Sequence, residues 1–565
     1  MESSNTKSID RIREIKQEID AFVLRHHWQL SPLPYSVWYL LALHEAEILD
    51  DELRFYRGEI SAADRSVYVD HAKNALKHCV TWACRKAPTQ QYFKRPTYVH
   101  ARRFGEVRQF WQLGLNYQAV ETAYFNYNRG AAEAELVSSR TVRFTRSPLE
   151  LSYDALSNLL HARREEKAAA GSYNVSDFKS ALQRVHDSVR LQDSHAISFD
   201  IQPGVVRTVA ESLAEGYDVL FDFPEKWSFE GIPIQLFREV WRFLKALCVV
   251  HKSAHIHAML EHKCLELPVL SLVMLTERGE VQAQLATESK VISEEEGATG
   301  RILDFMTCHF DPSACKIDPA LQPLAPLTAS TTAIAPSLVI SSNIERNTLA
   351  VLARDHRYRD EYSRDSHLLE KKLISEISNK LGSSYLHVTS KKRIPGSPDL
   401  PDIDLAVFDN QTDQVLLVEL KWPLGPVESQ EIFNRGLEAE KKGIDQIEQV
   451  LDYSQQHPQA LWATCFPKLP MPRDLRFQGC VAIRGFCGSA RNWNPRTPVI
   501  EESLFTEALL RFNNLEELWD WMARRAFLPK EDIDYRRTEF PSPVADYTVI
   551  WEGYEILPDH KWLEL

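Results

Sequence analysis

The stretch PDIDLAVFDNQTDQVLLVELKW, residues 401–422, carries two aspartates at the head of one apolar run and Glu419 and Lys421 inside a second. Each charge is costly to remove from water, so alternating charges in runs this apolar call for a common purpose. Side chains alternate along a strand, which puts Asp402, Asp404, Ala406 and Phe408 on one face of the first run. The same rule groups Leu417, Glu419 and Lys421 on one face of the second. The intervening NQTD reads as a turn, and a hairpin in suitable register would bring Asp404, Glu419 and Lys421 to one surface. Carboxylates tolerate such a setting when they hold a divalent cation, and a lysine tolerates it beside carboxylates, a water or a phosphate. Phosphodiester hydrolysis needs those parts: oxygen ligands for Mg2+ or Mn2+, an activated water, and positive charge near the transition state.

Two helices are needed to complete this arrangement. The segment DSHLLEKKLISEISNKLG, residues 365–382, has the helical period and a stop at Gly382. Leu369, Leu373, Ile374, Ile377 and Leu381 form its apolar stripe, with Glu370 near the middle and Glu376 at the margin. An acid facing inward needs a partner, which singles out Glu370. Downstream, GIDQIEQVLDYSQQ places Gln449 and Tyr453 on one helix face, away from the stripe of Ile444, Ile447 and Leu451. Gln446 lies close enough to that face to be an alternative to Gln449. A later strand is expected in GCVAIRGFCGS.

This order of a helix with an inward glutamate, PDID, hairpin, VELK and a helix with QxxxY resembles the PD-(D/E)XK nuclease superfamily, in its RecB-like branch. The resemblance covers residues 365–488. It implies a restriction-endonuclease-like α/β domain with a mixed central sheet flanked by helices. It also implies Glu370, Asp404 and Glu419 as ligands of Mg2+ or Mn2+, Lys421 as the lysine of the motif, and Gln449 and Tyr453 beside the catalytic centre. The literal proline–aspartate pair nominates Asp402, whereas the second residue of an ID pair nominates Asp404, the preferred assignment; Asp399 is a third choice. The implied activity is metal-dependent hydrolysis of DNA, with RNA left open, in a bacterial restriction or phage-defence effector that works with a defence-system partner protein. A DNA-repair nuclease, or a noncatalytic scaffold that keeps the nuclease fold, is the alternative. Domains of this kind that cut both strands often act in pairs, so a homodimer is expected.

The bulk properties frame this reading. A chain of 565 residues is too long for one hydrophobic core, and 44% apolar with 26% charged residues is a globular composition. The expected class is α+β multidomain, with a mostly helical N-terminal region. Nine cysteines without a CxxC pair argue against a disulfide framework and suit a reducing cytoplasm. No signal-like N-terminus or membrane-length apolar run occurs, so a soluble cytoplasmic protein without membrane contact is expected. The net charge of −13 disfavours a nonspecifically basic protein. Locally, however, Lys391, Lys392, Arg393, Lys441, Lys442, Arg484, Arg491 and Arg496 gather around the acidic constellation and could contact phosphates. No GxxxxGK[ST] phosphate loop is present.

The chain is expected to divide into a helical region 1–198, a mixed region 199–317, a proline-bearing connector 318–343, the nuclease-like domain 344–530 and a tail 531–565. Helices are predicted near the N-terminus, over residues 37–57 and over 234–256, a strand over YDVLFDF, and a hairpin turning at Gly279. The arginines and aromatics of residues 102–130 could form a stacking surface for nucleic acid, but at helical spacing they read as core. His251 and His255 stand four apart, but lack the glutamate of HExxH and read as packing residues.

Overall fold

The structure is a computed structural model. It describes residues 2–557 and 562, apart from 26–27, 29, 89–92, 95–100, 172–174, 193–195, 221–225, 262–268, 311–316, 344–346, 349, 353–357, 381–385, 396, 398 and 424–428. The expected helix stop at Gly382 and the domain boundary near residue 344 lie outside the described residues. The chain forms two compact units, one of residues 1–146, 160–348 and 537–558, the other of residues 147–159, 349–536 and 559–565.

The first unit is mainly helical, as its periodicity predicts. Helices Glu2–Arg25, Leu33–Tyr56, Ala62–Lys86 and Ala101–Asn128 bury Ile12, Ile15, Ile19, Trp38, Leu76, Phe110 and Trp111 in one core. The aromatics of residues 102–130 are therefore largely core residues. Four expectations for this unit differ from the structure. The supposed connector holds strands Leu324–Pro326 and Thr331–Ile334, which pair with Met274–Glu277 in a three-stranded sheet. Its Leu324, Ala325, Ala333 and Ile334 are buried, so its prolines punctuate short strands and do not mark a linker. The supposed hairpin at Gly279 is instead a helix, Arg278–Glu288, opened by a capping box between Glu277 and Glu280. The supposed tail contributes Tyr535–Val544 and Tyr547–Ile556 to a sheet begun by Glu133–Ser138 and Thr141–Thr145. The YDVLFDF segment starts inside helix Val205–Leu220, and its remainder lies outside the described residues. His255 Nδ1 donates to the His251 carbonyl at 2.8 Å, consistent with a packing role.

The second unit carries the acidic constellation on a five-stranded mixed sheet. Its strands are β1 (Leu386–Lys392), β2 (Ile403–Asp409), β3 (Gln414–Lys421), β4 (Arg476–Ile483) and β5 (Val499–Glu501), in that spatial order. The β1–β2 and β2–β3 pairs are antiparallel, whereas β3–β4 and β4–β5 are parallel. Helix α1 (Arg359–Lys380) precedes the sheet, and α2 (Ser429–Gln456) with α3 (Pro458–Cys465) forms the crossover that the parallel β3–β4 pair requires. Strand β3 is buried from Gln414 to Leu420, which explains its nearly continuous apolar sequence.

Glycines let α2 approach this sheet. A Cβ on Gly443 would lie 2.6 Å from Val481 Cγ1 on β4, and a Cβ on Gly436 would overlap the Phe486 ring. Gly479 on β4 makes the reciprocal space, beneath Ile447 and Leu451. A glycine inside a helix costs about 1 kcal/mol relative to alanine, so close packing has to offset that cost. Gly443→Ala is expected to destabilise the second unit by about 1–2 kcal/mol, since the overpacking penalty exceeds the gain in helix propensity. Gly105→Ala, in a helix where an added Cβ meets nothing within 4 Å, is expected to stabilise by up to about 1 kcal/mol. Chemical denaturation, with hydrogen exchange resolving the β3 and β4 amides, would measure both; equal signs for the two variants would refute the close-packing argument.

Candidate active site

The β2–β3 turn sets the register on which the site depends. Buried Asp409 accepts from the Gln411 N–H at 2.8 Å and the Thr412 hydroxyl at 2.9 Å, a side-chain-stabilised turn of the kind aspartate favours. It also accepts from the Leu515 N–H at 3.0 Å, at the start of the helix Leu515–Ala523. Asp409 then pairs with Gln414, and the ladder continues to Leu405 opposite Val418. The ladder ends there, and Asp404 and Glu419 are the next residues along the two strands. A one-residue slip would send Glu419 to the other face of the sheet.

Asp404 and Glu419 form the centre. Asp404 Oδ2 accepts from the Leu420 N–H at 2.9 Å, which ties its carboxylate to the neighbouring strand. Glu419 is only 4% exposed, and it accepts from Lys421 Nζ. The same ammonium donates to Gln446 Oε1 on α2 at 2.6 Å. Lys421 is thus held between an acid of its own strand and an amide of the crossover helix.

Both carboxyls lie above their ordinary range. Burial, followed by the charge of Asp404, pushes Glu419 up to about 7, against the opposing pull of Lys421. Burial raises Asp404 to about 6, while the Leu420 hydrogen bond, Lys421 and Lys391 pull downward and Glu370 pushes upward. Burial is the largest cause of both shifts, and the nearby cations offset it only in part.

The other predicted residues fall into three groups. Glu370 is exposed, although on the helical wheel it falls within the stripe that the buried Leu369, Leu373, Ile374 and Ile377 define on α1. Its charge nevertheless acts on both Asp404 and Glu419. Asp399 and Asp402 are exposed and outside the Asp404–Glu419 pair. On α2, Gln449 is exposed and Tyr453 is half-buried, with its ring 4.8 Å from that of His457. The buried residues Gly443, Ile444, Ile447, Val450, Leu451 and Ser454 define the sheet-facing side of α2. At 100° per residue Gln449 points almost opposite that side, whereas Gln446 lies at its edge. The lysine's amide partner is therefore Gln446 and not Gln449.

Glu440 was not singled out by the sequence. It is buried on the sheet-facing side of α2 and accepts from the Ser489 N–H at 3.0 Å, the Ser489 hydroxyl at 2.7 Å and Asn492 Nδ2 at 2.9 Å. This brace fixes the turn after β4, where the Arg484 N–H donates to the Lys421 carbonyl at 2.9 Å. An acid in line with Gly436, Gly443 and Ile447 is the signal that could have revealed it.

Among the described residues, no group of three or more His, Cys, Asp or Glu side chains forms a ready-made metal cage. The donor set is instead two adjacent carboxylates whose burial the nearby cations offset only in part. That fits Mg2+, which commonly keeps several waters and takes one or two protein carboxylates together with substrate phosphates. No protein-family model, curated protein or solved structure matches this chain. No helix among the described residues is long and apolar enough to cross a membrane.

The raised carboxyl of Glu419 makes stability depend on pH. Its folded pKa lies above the unfolded value, so its contribution is fully present below the ordinary glutamate range and is lost as pH rises through about 7. In a chelator, Glu419→Gln should match the wild type near pH 5 and exceed it near pH 8, by on the order of 3 kcal/mol at about 1.4 kcal/mol per pKa unit. Thermal melts across this range test the sign; a variant that is less stable at the higher pH would contradict this account.

Proposed function

We propose that the chain is a metal-dependent phosphodiesterase of nuclease type, acting most readily on DNA. The observation that carries this reading is the pairing of half-buried Asp404 with buried Glu419, with Lys421 fixed beside it by Glu419 and Gln446. Asp404 and Glu419 would hold a divalent cation, Mg2+ or Mn2+, with Glu370 adding negative potential from the surface. Such an ion acts as a Lewis acid and lowers the pKa of a water bound to it.

The remaining work belongs to the chain. Lys421, constrained on two sides, keeps its ammonium over the acid pair, where it orients the attacking water and stabilises charge developing on a phosphate oxygen. Gln446 presents a neutral acceptor, so it positions the ammonium without adding another negative charge. Tyr453 and Glu440 act more remotely, by supporting α2 and the turn after β4. The restriction or defence setting, with its partner protein and homodimer, follows from the resemblance described above and belongs to the same proposal.

Incubation of the intact protein with plasmid, linear DNA and RNA, each with and without Mg2+ or Mn2+, tests the activity. Glu419→Ala, Asp404→Ala and Lys421→Ala should each lower cutting by about 10²-fold or more. Gln446→Ala should reduce it by about tenfold and Gln449→Ala by less than about twofold, on the scale of one positioning contact. Metal-dependent cutting that survives both Glu419→Ala and Lys421→Ala would eliminate this site, and no cutting of any nucleic acid would favour the noncatalytic scaffold.

A further inference from the structure

A second cation stands on the other flank of the acid pair. On β1, Ser390 pairs with Leu405 and Lys392 with Ile403, which leaves Lys391 opposite Asp404. The β2–β3 ladder ends one residue earlier, at Leu405 opposite Val418, so Lys391, Asp404 and Glu419 stand at about one level on three neighbouring strands. Lys391 acts electrostatically on Asp404, yet its side chain is exposed. Among the described residues it has no hydrogen-bond or ion-pair partner within contact distance, in contrast to Lys421, which is bonded on two sides.

The backbone at this position is also unusual. Lys391 has φ +52, in the left-handed region that a residue with a Cβ enters at a cost. The pairs at residues 390 and 392 on either side remain regular. Strained conformations of this kind persist where the surroundings over-determine them, and they concentrate at ligand clamps and active sites. An exposed ammonium beside a carboxylate pair is suited to an anion that bridges to the same centre.

We propose that Lys391 is a substrate-anchoring residue, whose ammonium takes the non-bridging oxygens of a nucleic-acid phosphate lying over Asp404, on the flank of the acid pair away from Lys421. This rests on the nuclease reading of the site and adds a division of labour to it. Lys421 is held still for chemistry, and Lys391 is left open for the backbone of the strand. Exposed Arg393, two residues along the chain, continues the positive path toward a neighbouring phosphate.

The test is equilibrium binding of a fluorescein-labelled DNA oligonucleotide, and of RNA of the same sequence, to the full chain in Ca2+, for wild type, Lys391→Ala, Lys391→Arg and Lys391→Gly. Lys391→Ala should raise Kd by about three- to tenfold and lower the slope of log K against log salt by about one, as loss of one phosphate contact does. Lys391→Arg should restore both. Lys391→Gly should bind as weakly as Lys391→Ala but melt at a higher temperature, because glycine adopts the left-handed backbone without strain. In turnover with Mg2+, KM should rise while kcat stays within about twofold, the signature of lost uniform binding. Wild-type Kd and salt slope in Lys391→Ala would overturn the anchoring role and leave the nuclease reading standing. Failure of the wild type to bind either nucleic acid would overturn both.

Discussion

The second unit is organised around an electrostatic conflict: two carboxylates, Asp404 and Glu419, face each other across adjacent strands in a largely buried setting. Neither burial nor like charge favours ionisation. The immediate surroundings relieve the conflict only in part, through the Leu420 N–H on Asp404 and the Lys421 ammonium on Glu419. The residual demand for positive charge is what makes the pair a candidate centre for chemistry.

A buried cluster in the first unit provides the contrast. Glu45 accepts from both the Ser337 N–H and its hydroxyl, each at 2.8 Å. Lys252 donates to Ser337 Oγ at 2.8 Å and to Glu52 at 2.7 Å, and Arg65 reaches Glu52 at 2.8 Å. Here acids alternate with donors and cations, the pattern by which buried polar groups are normally satisfied. Such a network locks helices together. The Asp404–Glu419 pair instead brings acid to acid, and the cations around it are one constrained lysine and one exposed lysine.

Much of the positioning comes from groups that carry no charge or lie away from the centre. Asp409 pins the hairpin turn and hence the strand register. Gly443 and Gly479 remove side-chain volume between α2 and β4, and Gly436 does so against Phe486 in the turn that follows, which brings Gln446 down to Lys421. Glu440 ties the turn after β4 to the same helix. Shifting any of these would leave the site residues present but out of place, and small displacements are costly where orientation does the work.

The sequence by itself determined the local parts: the alternation of β2 and β3, the turn between them, the apolar stripes of α1 and α2, and the choice of Asp404, Glu419 and Lys421 as neighbours. These follow from short-range periodicity and turn chemistry, whose effects span a few residues. Only the tertiary structure decided that Gln446 meets the lysine, that Glu370 stays at the surface, that Lys391 stands level with the acid pair, and that residues 324–334 and 535–556 join sheets of the first unit. Each of these outcomes depends on pairing between segments distant in the chain, or on the rotation of a helix against a sheet. A helical wheel gives the relative angles of residues but not the direction the packed face will take; that is set when Gly443 seats against Val481.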